Sequence, residues 1–320
     1  LRIMALIQLL LIAVGLAIVI FSADEAIKRL LNLARFFRLP EFVTSLVLAG
    51  TIAVLPELSI GVAAALGGTS SLGFGVILGS NIADLTLVIG VVAASAGRLN
   101  LNPRTLGHIR ASSLVAFLPI LLFIDGEVSR TDGGALILAY AVYLAILLRS
   151  RRDEPEATGR RGRLGLALEA TILVASLTIL FVGGSLIASS SQELSLLFGL
   201  PLVVIGAIVA VGTCIPEMSF AIRASRKRHG ELGLGNVLGN VLADSMLTIG
   251  IIALIQPIRP QQPMPALFAA GFMAVSALIV YGLSRDGNID RRDGAALIIV
   301  YCAFLALQSA IGALNIEGAD

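Results

Sequence analysis

One stretch of this chain occurs twice, and the repeat limits which folds are available. The first copy runs from Pro56-Glu57 through Gly79-Ser80-Asn81-Ile82-Ala83-Asp84 to Gly90. The second runs from Pro216-Glu217 through Gly239-Asn240-Val241-Leu242-Ala243-Asp244 to Gly250. Every landmark is displaced by 160 residues without a gap, and 14 of the 35 paired positions are identical. A duplication of this length predicts two equivalent halves, and carboxylates shared inside apolar sequence mark function.

The surroundings decide the solvent. Hydrophobic residues make up 57% of the chain and charged residues 14%, with a mean hydropathy of +0.95. A soluble domain holds about 45–50% and about 25%, so a soluble helical repeat is excluded in favour of an all-α integral membrane protein. The 33 glycines fit, because membrane helices use them for close packing. Ten apolar runs are long enough for a bilayer: 3–22, 42–66, 71–96, 107–124, 133–148, 165–189, 197–222, 232–256, 264–284 and 294–313. The first lacks a small-residue cleavage site before Asp24, which predicts a retained helix. The basic segment 149–163 is a linker between two five-helix halves, 1–148 and 164–320. The repeated units lie at about 42–96 and about 202–256. Cys214 and Cys302 have no zinc spacing and read as buried small residues.

Orientation follows from the basic residues. Of 23 Lys and Arg, 20 lie in or beside the loops after helices one, three, five, seven and nine. Those odd-numbered loops are expected in the cytoplasm of a multi-pass cell-membrane protein, with both termini on the outer side. Because each half has an odd number of helices, the halves enter the membrane with opposite polarity. This is the inverted-topology plan of many secondary transporters, which place their site near the midplane where the repeats meet.

Most acidic residues sit in loops or at helix ends, and Glu169 is expected near enough to its helix end to reach the interface. Glu57, Asp84, Glu217 and Asp244 lie deep in apolar sequence. A central Asp costs about 2.5–3.5 kcal/mol to insert, so four cost on the order of 10 kcal/mol unless offset. A bound cation offsets this directly, and hard divalent ions prefer carboxylate and carbonyl oxygens. Four protonated carboxyls acting as interhelical hydrogen-bond glue are the alternative. The same pair at the same spacing in both halves argues against it.

Local sequence explains how oxygens converge. Pro56 and Pro216 each remove a backbone donor and disturb the helix a turn earlier; irregular backbone at membrane depth is tolerated only where it lines a cavity. Gly75-x-x-x-Gly79 and Gly235-x-x-x-Gly239 permit close helix approach. Ser80 and Asn240 follow, four residues before Asp84 and Asp244 and on the same helical face.

These residues resemble the two α-repeats of the calcium/cation antiporter superfamily, the sodium–calcium exchanger type. That pattern is Gly-Thr-Ser-x-Pro-Glu in one helix, then Gly-Ser/Asn-x-x-x-Asn/Asp in the next. The second copy reads Gly212-Thr213-Cys214-Ile215-Pro216-Glu217, then Gly239-Asn240 to Asp244. The resemblance covers essentially the whole chain and implies exchange of Ca²⁺ against Na⁺ or H⁺ by alternating access. It implies Glu57 and Glu217 as central Ca²⁺ ligands, Asp84 and Asp244 at the Asn/Asp position, and Ser80, Asn240 and Thr213 at accessory oxygen positions.

There are departures. Before Pro56 the Gly-Thr-Ser positions are Ile52, Ala53 and Val54, and a Gly50-Thr51 pair stands two residues too early. Pro40 to Pro56 spans 16 residues, whereas Pro201 to Pro216 spans 15; a π-bulge in that helix would absorb the extra one. Cys214 replaces a serine, and sulfur is a poor partner for Na⁺. Four ionised carboxylates against one Ca²⁺ leave two charges for protons or monovalent cations, so proton exchange is as open as sodium exchange.

An exchanger for Mg²⁺ or Mn²⁺ is the alternative within transport, and a passive cation channel the alternative outside it. An enzyme is not expected: there is no His-Glu-x-x-His motif, Ser/Lys constellation or phosphate loop, and His108 and His229 lie at loop edges. No cofactor, nucleic acid or obligate protein partner is expected. The implied partners are Ca²⁺, a monovalent counter-ion and the lipid bilayer, whose anionic headgroups the linker would touch.

Overall fold

The computed structural model of the chain describes residues 2–36, 54–101, 103–149, 163–226 and 230–317. Within these, the first half comprises α1 (Arg2–Phe36), α2 (Leu55–Leu66), α3 (Ser70–Ala83), α4 (Ile89–Ala96), α5 (Pro103–Val115), α6 (Leu118–Leu122) and α7 (Arg130–Arg149). The second comprises α8 (Arg163–Phe198), α9 (Leu202–Thr213), α10 (Ile215–Arg226), α11 (Gly230–Ala243), α12 (Ile249–Ile255), α13 (Pro263–Ser284) and α14 (Arg291–Glu317). Eight of the described segments are long and apolar enough to cross a membrane. Of the other two expected runs, 42–66 is described only from residue 54 and 133–148 is α7. Of the linker 149–163, Arg149 ends α7 and Arg163 begins α8, while residues 150–162 and the Gly50-Thr51 pair lie outside the described residues.

The apolar surface is organised for lipid. Ile3, Leu6, Leu10 and Phe21 on α1, and Leu168, Val174, Val182 and Leu196 on α8, are all more than half exposed. Apolar patches of this extent are untenable in water. Behind them, α1 and α8 pack along each other and onto α2 and α9, with Val19, Ile60, Leu72, Val76 and Ile187 in the seam.

Both α1 and α8 exceed the apolar run that predicts them. At 1.5 Å per residue their 35 and 36 residues span about 52 Å, well beyond about 30 Å of hydrocarbon. Helical i,i+4 pairing sustains the extension of α1, where Lys28 bonds Asp24 at 2.7 Å and Arg29 bonds Glu25. The extension also gives Glu169 its partners. Its carboxylate is 8% exposed and accepts from Arg29 Nη1 at 3.2 Å and from Asn32 Nδ2 at 3.2 Å. Only because α1 continues past residue 22 does Arg29 stand opposite.

The halves pack reciprocally. A Cβ on Gly90 (α4) would meet Gly294 O at 2.7 Å, and one on Gly294 (α14) would meet Gly90 O at 2.6 Å. Gly250 and Gly133 meet the same way, at 2.9 and 2.8 Å, joining α12 to α7. Thus each half lays its α4-type helix on the last helix of the other, backbone against backbone. Two short β contacts repeat the reciprocity. β1 (Arg98–Asn100) pairs antiparallel with β2 (Asn288–Asp290), and Val128 bridges Ile258.

Matching caps start α7 and α14. Asp132 Oδ2 accepts the Ser129 N–H at 2.9 Å, and Asp293 Oδ2 accepts the Asp290 N–H at 2.9 Å, the reach-back half of a capping box. Asp290 in turn accepts the N–H groups of Asp293 and Arg292, which holds its carboxyl below the usual range.

Candidate cation site

The second repeat builds its part of the site from a helix interrupted at Pro-Glu, and both repeats use a helix distended at Asp. The segment from Leu202 to Arg226 is broken in the middle: α9 ends at Thr213, Cys214 stands between, and α10 begins at Ile215. Pro216 supplies no N–H to continue the ladder, so Glu217 opens a new helix. Glu57 likewise occupies the first turn of α2, behind Val54 and Pro56.

On the next helix both aspartates begin a π-helical turn, Asp84–Val88 in one half and Asp244–Thr248 in the other. A π-turn inserts one extra residue and loosens the backbone ladder, often at functional positions. The bulge expected ahead of Pro56 lies outside the described residues. Those at Asp84 and Asp244 leave no mark in the repeat, since a gapless alignment hides an insertion present in both copies.

Close packing brings the parts together. Gly75, Gly79 and Gly206 form the crossing of α3 over α9: a Cβ on Gly75 would lie 2.4 Å from Val203 O, one on Gly79 2.6 Å from Ala207 Cα, and one on Gly206 2.5 Å from Leu72 O. The tandem glycines predict this approach for the first copy. Gly235 meets no described residue within 4 Å; residues 42–53, which align with α9 by the repeat offset, lie outside the described residues. Through this crossing, Thr213 and Cys214 at the end of α9 reach Ser80 and Glu57.

All seven predicted residues are buried: Glu57 3% exposed, Ser80 2%, Asp84 1%, Thr213 0%, Glu217 7%, Asn240 3% and Asp244 1%. Ser80 Oγ donates to Glu57 Oε1 at 3.3 Å, and the Thr213 hydroxyl stands beside the same carboxylate while donating to Ala210 O at 3.1 Å. Asp84 lies within electrostatic range of Glu217, Glu57 and Asp244.

Among the described residues no Lys, Arg or His pairs with any of the four carboxylates, and no three His, Cys, Asp or Glu side chains gather at ligating distance of one point. The residues share one buried region.

Sequence reasoning passed over Asn81 and Ser245. Both are 0% exposed, and Asn81 Nδ2 donates to Ser245 Oγ at 3.0 Å, linking the halves between the two aspartates. Their repeat counterparts are Val241 and Leu85, so comparing the copies discards them. Being polar in an apolar run was the available signal. Cys302 is exposed rather than buried, because its face of α14 points outward, whereas Cys214 is 2% exposed inside the site.

The decisive feature is a surplus of acceptors. Glu57 Oε2, both Asp84 oxygens, Glu217 Oε2, Asp244 Oδ1, Asn81 Oδ1 and Asn240 Oδ1 are buried with no hydrogen-bond partner among the described residues. An unsatisfied buried polar group costs about 1–3 kcal/mol, more when charged. Seven buried oxygen acceptors thus stand without a matching donor among the described residues.

Fold and site together define a polytopic membrane protein with an acidic, donor-poor centre between two repeats. The chain belongs to the sodium/calcium exchanger protein family, whose model matches residues 7–149 and again 168–310. It is 26% identical to the sodium/calcium exchanger MaX1 of Methanosarcina acetivorans, over 95% of this chain and 99% of that protein. It is 27% identical to the inner membrane protein YrbG of Escherichia coli K12, over 77% and 79%. Its fold is similar to that of the sodium-calcium exchanger NCX_Mj, with a TM-score of 0.62 at 21% identity over 96% of this chain and 99% of that one. The H⁺/Ca²⁺ exchanger CAX gives 0.68 at 17% identity over 99% and 92%.

Proposed function

We propose that the chain is a secondary active antiporter that exchanges Ca²⁺ against Na⁺ or H⁺ by alternating access. The observation that carries this is the cluster of buried acceptor oxygens around Glu57, Asp84, Glu217 and Asp244 that find no donor among the described residues. Relatives and structural neighbours named as Na⁺/Ca²⁺ and H⁺/Ca²⁺ exchangers support the ion class. In this reading ten helices form two inverted five-helix repeats in the cell membrane, 1–148 and 164–320, joined by the cytoplasmic 149–163 linker. The termini lie on the outer side. The reciprocal packing of α4 on α14 and of α12 on α7 supports that symmetry.

Glu57 and Glu217 are the central ligands, each in the first turn of the helix that carries its own proline. Ser80, Thr213 and Asn240 supply accessory oxygens. Asp84 and Asp244 hold the remaining charge balance, as protons or Na⁺, while Ca²⁺ is bound. Rotation of the carboxylates closes the site around the ion, and its loss reopens it. An oxygen site of this kind also accepts Mg²⁺ or Mn²⁺, which is the second reading. No cofactor takes part, because the ions are cargo.

Reconstitution tests the proposal. Proteoliposomes loaded with Na⁺ or with acid are expected to take up ⁴⁵Ca²⁺ against its gradient, and to stop when the counter-ion gradient is collapsed. Uptake that needs no counter-ion identifies a channel instead. Asp84→Asn is expected to weaken proton-driven uptake about ten-fold while lowering Ca²⁺ affinity only about two-fold, since an amide oxygen still ligates but holds no exchangeable proton. Equal loss of both contradicts this division of roles.

A further inference from the structure

Cys214 has the surroundings of a ligand. It occupies the single-residue break between α9 and α10, and its Sγ lies 3.5 Å from Ser80 Oγ and 3.8 Å from Ser80 O. Ser80 bonds Glu57 at 3.3 Å, so thiol, hydroxyl and carboxylate form one connected row. Asp84, Glu57 and Glu217 are all within electrostatic range of the sulfur. Around it stand unpartnered buried oxygens: Glu57 Oε2, Asp84 Oδ1 and Oδ2, and Glu217 Oε2. Each of these side chains is at least nine-tenths buried.

The geometry points to Cys214 as a sulfur ligand that lets this site hold a thiophilic divalent cation, in competition with Ca²⁺ and more tightly than an all-oxygen site would. The inference rests on the antiporter reading and names a further class of ion for the same centre. Ca²⁺ is hard and takes oxygen ligands, so the thiol contributes little to it. Thiolates select softer ions. Cd²⁺ is the suitable probe because it is close to Ca²⁺ in size and differs mainly in its preference for sulfur. When it binds, the metal replaces the Sγ proton, which leaves to water, and the new thiolate joins the Glu57 and Glu217 oxygens around the ion. Cys214 sits where α9 gives way to α10, with φ −77° and ψ −4°, its N–H on Ala210 O at 3.2 Å and its C=O accepting from Met218 N at 3.0 Å.

The test uses the full chain carrying Cys302→Ser, which removes the exposed second thiol. Titration with Cd²⁺ is expected to raise a thiolate-to-Cd²⁺ charge-transfer band that saturates at one ion per chain and disappears in excess Ca²⁺. Adding Cys214→Ser is expected to abolish the band. It should also lower the selectivity for Cd²⁺ over Ca²⁺, measured as competition in ⁴⁵Ca²⁺ binding, by about ten-fold or more. An unchanged selectivity ratio, or a band that survives Cys214→Ser, overturns the proposal. Should Cys214→Ser fail to fold, ¹¹³Cd NMR of the Cys302→Ser protein decides the matter: a shift typical of sulfur ligation supports it, and an all-oxygen shift overturns it. If Ca²⁺ binds and only the sulfur signature is missing, the antiporter reading stands and sulfur ligation falls. If neither ion binds, both fall together.

Discussion

Glu217→Gln is expected to lower Ca²⁺ affinity about 100-fold or more and to abolish Ca²⁺ exchange. The amide keeps the volume of the side chain and one carbonyl oxygen, so packing around α10 is preserved. What it loses is a negative charge at a site that is 7% exposed and has no neighbouring cation among the described residues. Removing one partner of a buried charge interaction costs roughly 2–5 kcal/mol, and 2.7 kcal/mol is about 100-fold.

The same substitution carries an opposite expectation for stability. Without bound ions, wild type buries an unpartnered Glu217 Oε2 beside other carboxylates, and a neutral amide removes that repulsion. The ion-free Glu217→Gln protein should therefore melt at the same temperature as wild type or above it, while the rise in Tm on adding Ca²⁺ is lost. Calorimetric titration and thermal melting in detergent check both signs. Undiminished Ca²⁺ binding would remove Glu217 from the ion site.

Gly75→Ala is expected to destabilise the protein and to weaken ion binding at a distance. Its new Cβ would lie 2.4 Å from Val203 O and 2.6 Å from Val203 Cα. These are backbone atoms of α9, so no rotamer change relieves the clash and the helices must separate. Overpacking of this sort costs about 1–3 kcal/mol. The displacement also moves Thr213 and Cys214, at the far end of α9, away from Ser80 and Glu57. Gly282→Ala is the control. Gly282 is exposed within α13 and a Cβ there meets nothing within 4 Å, so helix propensity alone acts, a gain of up to about 1 kcal/mol. A Tm for Gly75→Ala equal to that of the control would show that the α3–α9 crossing has slack.

Much of the molecule is legible from sequence because the bilayer makes local errors expensive. Apolar runs must be long, so their positions are visible, although the ends of α1 and α8 are not. Of these, α1 continues past its apolar limit on Asp24–Lys28 and Glu25–Arg29 pairing, which hydropathy reads as loop. Buried acids must be offset, so Glu57, Asp84, Glu217 and Asp244 stand out as a set. Where the copies agree, comparison amplifies the signal; where they differ, it erases it. Asn81 and Ser245, a hydrogen-bonded pair at 3.0 Å, were lost in that way.

The sequence by itself determined the duplication, the membrane setting and the identity of the four acids, because each follows from composition and spacing along the chain. Only the tertiary structure decided which side of a helix an individual residue occupies. In a membrane protein apolar residues face lipid and core alike, so hydropathy cannot separate the two directions. Hence two cysteines that look alike in sequence part company, Cys302 on the outer face and Cys214 against Ser80 in the site. The π-turns that begin at Asp84 and Asp244 are likewise tertiary, since they change a helix's winding without leaving a mark on its composition.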